Sequence, residues 1–65
     1  MWTVVYIAPS RIIADSLQSV LNNEGVLVML RNIGLPHVGD SSSVEILVPE
    51  SEVDEAMEII NNNVR

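Results

Sequence analysis

Three runs of β-branched and aliphatic residues, Trp2–Ala8, Val26–Arg31 and Val44–Val48, carry apolar side chains on both of their alternating sides. Strand one presents Thr3, Val5 and Ile7 on one side and Trp2, Val4 and Tyr6 on the other. Strand two offers Val26, Val28 and Leu30 against Leu27, Met29 and Arg31. Strand three offers Val44, Ile46 and Val48 against Glu45 and Leu47. Only two other stretches repeat apolar residues at helical spacing, and two short helices cover one face of a three-stranded sheet. A sheet face left to water is normally polar. Here, with Val44, Ile46 and Val48 turned toward the helices, Trp2, Val4, Tyr6, Met29 and Leu47 are expected outward. An apolar patch of that size marks an interface, so these five residues are the expected self-association surface. The plainer alternative has Trp2 and Tyr6 lying across the sheet as a shield. Strand two, guarded by Arg31 alone, offers edge pairing as a second geometry.

The connecting segments define the order. Ser10 is placed to cap a helix whose stripe is Ile13, Leu17, Val20 and Leu21, with Ile12 at its margin and Gly25 as the C-terminal stop. Pro49-Glu50-Ser51 opens a second helix, with Ser51 and Asp54 at capping-box spacing. Its stripe is Val53, Ala56, Met57 and Ile60. Ile59 stands about 120° away, and Asn61-Asn62-Asn63 is expected to fray. Residues 32–43, with two glycines, a proline and three consecutive serines, read as a loop. The expected fold is therefore α+β: a single domain over 1–65, a βαββα two-layer sandwich resembling half of a ferredoxin-like fold. A right-handed crossover makes strands one and two parallel, and strand three returns antiparallel between them. The sheet order is 2-3-1, with both helices on one face.

Composition excludes several functions. The chain has no cysteine and no lysine, which removes disulfide scaffolds, cysteine-ligated metal sites and Schiff-base chemistry. Nine carboxylates against three arginines give a net charge of −6, a repulsive field toward nucleic acid. The opening Met1–Tyr6 lacks a basic region, Pro9 follows too soon for a signal peptide, and the longest apolar run, Val26–Leu30, is far short of a membrane span. A soluble, cytoplasmic protein with no membrane attachment is expected.

The opening Val4-Val5-Tyr6-Ile7-Ala8, the Asn23-Glu24-Gly25-Val26 turn, and Val44-Glu45-Ile46-Leu47-Val48-Pro49-Glu50 followed by Ala56 and Ile59-Ile60 together resemble a known family. It consists of small bacterial proteins of unknown function, named for signal transduction and grouped distantly with PII-like (GlnB-like) domains. The resemblance spans nearly the whole chain, and its most specific element is the Val48-Pro49-Glu50 junction. It implies a βαββα domain with a signalling or regulatory role and brings no catalytic residues with it.

Candidate chemistry is sparse. Arg31, His37 and Asp40 lie in or beside the 32–43 loop and are the residues that a small-ligand site would use. His37 and Asp40 are too few ligands for a metal centre, and Asp40 opposes an anion cradle at Gly39–Ser43. Nothing in the sequence pairs His37 with a nucleophile. The expectation is a non-enzymatic signalling or interaction module without cofactor or metal. It is expected to self-associate as a homodimer through its sheet and to engage a protein partner. The alternative is a sensor of an amino acid, 2-oxo acid or nucleotide, with a pocket near the 32–43 loop.

Overall fold

In a computed structural model that describes residues 1–33 and 43–63, the chain forms β1 (Trp2–Ala8), α1 (Arg11–Asn23), β2 (Met29–Asn32), β3 (Val44–Pro49), a 3-10 turn (Glu50–Glu52) and α2 (Val53–Asn63). β3 lies between β1 and β2 and is antiparallel to both, so the order is β1-β3-β2, the expected 2-3-1 arrangement. The expectation of an α+β fold with three strands and two helices holds. Ala14, Leu17 and Leu21 of α1 and Ala56 and Ile60 of α2 form one core with Val44, Ile46 and Val48 of β3. Those three residues alternate along β3, so both helices cover the same face.

Local chemistry explains where the elements begin and end. Ser10, in extended conformation, accepts the Ile13 amide on its Oγ at 3.3 Å, the expected N-cap. At the other end Val26 N donates to Leu21 O and Gly25 N to Asn22 O, both at 3.0 Å, with Gly25 at φ +86°. This is a Schellman closure. It consumes the Val26 amide and draws Val26 into the core beside Leu21. Strand two accordingly starts at Met29 and not at the expected Val26.

Three further expectations are corrected. The Ser51–Asp54 capping box does not start α2, because Ser51 lies inside the 3-10 turn instead of holding the extended N-cap conformation. On α2, Ile59 packs against the core while Met57 is exposed, the reverse of the sequence reading. The terminal asparagines do not fray through Asn63, whose Nδ2 donates to Ile59 O at 2.8 Å.

β1 carries the correction with most consequence. Val4 pairs with Leu47 but Tyr6 pairs with Ile46, so Val5 is an extra residue in the ladder. A bulge of this kind exchanges the faces of everything beyond it. Tyr6, expected outward, therefore faces the helices and packs against the core, and Ile7 takes its place outside.

Candidate interaction surface

The cross-strand register assigns the sheet face away from the helices, since directly opposed residues share a face. Val4, Leu47 and Met29 form its central row, and Ile7, Glu45 and Arg31 form the row at one end. Trp2 and Pro49 close the other end. Trp2 is 44% exposed, Val4 38%, Ile7 54% and Met29 38%. Leu47 lies on this face as expected, yet it is only 3% exposed, because it sits in the central strand between Val4 and Met29. Its expected outward exposure is thus corrected, and it serves as the floor of the patch. The face is apolar apart from its Arg31–Glu45 end.

That end is neutral. Arg31 Nε donates to Glu45 Oε1 at 2.6 Å, and Nη2 lies 2.6 Å from the same oxygen. The Glu45 side chain is 19% exposed and that of Arg31 60%. Partly buried charge-assisted bonds of this kind hold a side chain in place. Arg31, expected to meet a small carboxylate, already has a carboxylate partner within the chain. His37 and Asp40, the other two expected ligand-site residues, lie outside the described residues. The base of the intervening segment is closed by Ile33 N donating to Ser43 O at 2.9 Å.

Beyond this face, Arg11 joins the start of α1 to the end of β2, with Nε 3.3 Å from Asp15 Oδ1 and Nη1 donating to Asn32 Oδ1 at 3.3 Å. Glu52 accepts the Leu27 amide at 3.2 Å and ties the 3-10 turn to the α1–β2 connection. Among the described residues there is no group of three histidines, cysteines or acids placed to hold a metal ion. No described helix is long and apolar enough to cross a membrane.

A family model described as "Putative prokaryotic signal transducing protein" matches residues 2–63, which run from the first residue of β1 to the last of α2. The chain belongs to this family. Membership agrees with the resemblance carried by the β1 run and the Val48-Pro49-Glu50 junction. It points to a role in signal transduction, assigns no residue to a site, and carries no link to PII-like domains. Neither a curated protein nor a solved structure matched the chain.

Two residues of the surface escaped the sequence reading. Strict alternation puts Ile7 inward because it ignores the Val5 bulge, and no glycine or proline marks that bulge. Alternation puts Glu45 on the correct face, but its pairing with Arg31 depends on the β2–β3 register, which the long intervening segment leaves unspecified.

Proposed function

We propose that the chain is a non-enzymatic signalling module of the cytoplasm that self-associates as a homodimer through the open face of its sheet. The observation that carries this reading is the exposure of Trp2, Val4, Ile7 and Met29 around the buried Leu47 on one contiguous face. Charge supports a second copy as the occupant. Of the nine carboxylates, all but Asp40 and Glu45 lie on α1, its C-cap, the 3-10 turn or α2, where Arg11 is the only basic residue. Two copies meeting sheet to sheet place these acidic layers on opposite outer sides. They bring together faces whose only charges among the paired strand residues, Arg31 and Glu45, cancel. The acidic outer layer then remains free for a basic protein partner.

The face is small. Strands of seven, six and four residues set about 4.8 Å apart cover roughly 280 Å², below a standard interface of about 800 Å² per partner, so micromolar association is expected. Sedimentation equilibrium from 10 to 500 µM is expected to show a reversible dimer. Val4→Glu is expected to make it monomeric with an unchanged circular dichroism spectrum. A monomer throughout that range refutes the proposal. A thermal-shift response to amino acids, 2-oxo acids or nucleotides that is lost in Arg31→Ala would transfer the function to ligand sensing instead.

A further inference from the structure

A closed homodimer has a two-fold axis, and for sheets packed face to face that axis lies in the plane between them. With the strands of the two sheets aligned, two placements keep the apolar patch centred on Leu47 over itself. In one, the axis runs along β3, and each Glu45 is laid over Glu45 of the second copy. Arg31 already directs both its Nε and its Nη2 to a single oxygen of its own Glu45. Two carboxylates, each paired only with its own Arg31, then face each other, and Arg31 is set against Ile7, which offers it no second carboxylate. In the other placement, the axis crosses the strands along the Val4–Leu47–Met29 row. The charged end of one copy is then carried to the Trp2–Pro49 end of the other. Leu47 and Glu45 are two residues apart on β3, so the two Glu45 side chains stand about 14 Å apart along the sheet. Ile7 and Trp2, the most exposed apolar residues of the face at 54% and 44%, cover each other.

Resting on the sheet-face dimer proposed above, we infer that its two-fold axis runs along the Val4–Leu47–Met29 row, so that Val4 and Met29 each meet their own counterparts. Ile7 then covers Trp2 of the second copy. Charge separation and apolar cover select the same orientation.

The absence of cysteine makes this directly testable, since each engineered thiol reports alone. Single variants Val4→Cys, Met29→Cys and Glu45→Cys, each first confirmed as folded and dimeric, are treated with a short bis-maleimide. Val4→Cys and Met29→Cys are expected to cross-link to covalent dimers, and Glu45→Cys is expected to remain single on a denaturing gel. A mixture of Trp2→Cys and Ile7→Cys is expected to cross-link where neither does alone. Cross-linking of Glu45→Cys without Val4→Cys overturns the orientation, as does a dimer in which none of these variants cross-links. Loss of the dimer in the unmodified protein, read by sedimentation, overturns the sheet-face reading itself and is thereby distinguished.

Discussion

Gly25 occupies φ +86°, a conformation that L side chains rarely adopt, and a Cβ added there meets no atom within 4 Å. Replacement by alanine therefore costs backbone strain alone, with no clash to add, and about 1 kcal/mol is expected. For a domain of this size that lowers Tm by about 4–8 °C. A thermal melt of Gly25→Ala checks this, with Gly25→Asn expected nearer to wild type because asparagine tolerates the left-handed region. Val26 depends on the same turn. Its amide closes the Schellman motif and its side chain enters the core. The glycine stop was legible from local sequence, because it follows from one residue's steric freedom. The loss of Val26 from strand two was not, because hydrogen bonds to both Leu21 and Asn22 decide it.

The two helices show how far periodicity reaches. In α2, Ala56 and Ile60 define the buried direction, and on a helical wheel Met57 and Ile59 flank that direction by about 80° on either side. Val53 tilts the apolar count toward Met57, which is why the sequence alone favours it. The core packs against Ile59 instead. Ile59→Asp, which sets a carboxylate against the core at a half-buried position, is accordingly expected to destabilise the fold by about 2 kcal/mol, and Met57→Asp by less than about 1 kcal/mol. Urea unfolding of the two variants distinguishes them, and equal losses would contradict the packing described. β1 poses the same problem in a period of two. Residues 2–4 fall on the predicted faces, and beyond the Val5 bulge the order inverts, so Tyr6 joins the core and Ile7 the outer face. Alternation identifies a strand well but cannot count a residue that the neighbouring strand leaves unpaired.

The folded chain exposes 4288 Å², close to the roughly 4,100 Å² that area scaling gives for 7.1 kDa, so the amount of surface is ordinary and only its distribution is unusual. Among the described residues, the helix side carries most of the carboxylates and the open sheet face is mainly apolar. Dimerisation through the apolar side links stability to concentration by mass action, and Tm is expected to rise by about 5 °C for each tenfold increase in concentration above the dissociation constant. Scanning calorimetry across that range checks it, and a Tm independent of concentration counts against the dimer. The element order, the antiparallel middle strand and the surplus of apolar sheet surface follow from local steric preferences and from the number of greasy side chains, which the linear chain carries in full. The membership of the outer face was settled only on folding. A bulge at Val5 and the pairing of Arg31 with Glu45 arise from strand-to-strand register, a relation between segments that no single segment encodes.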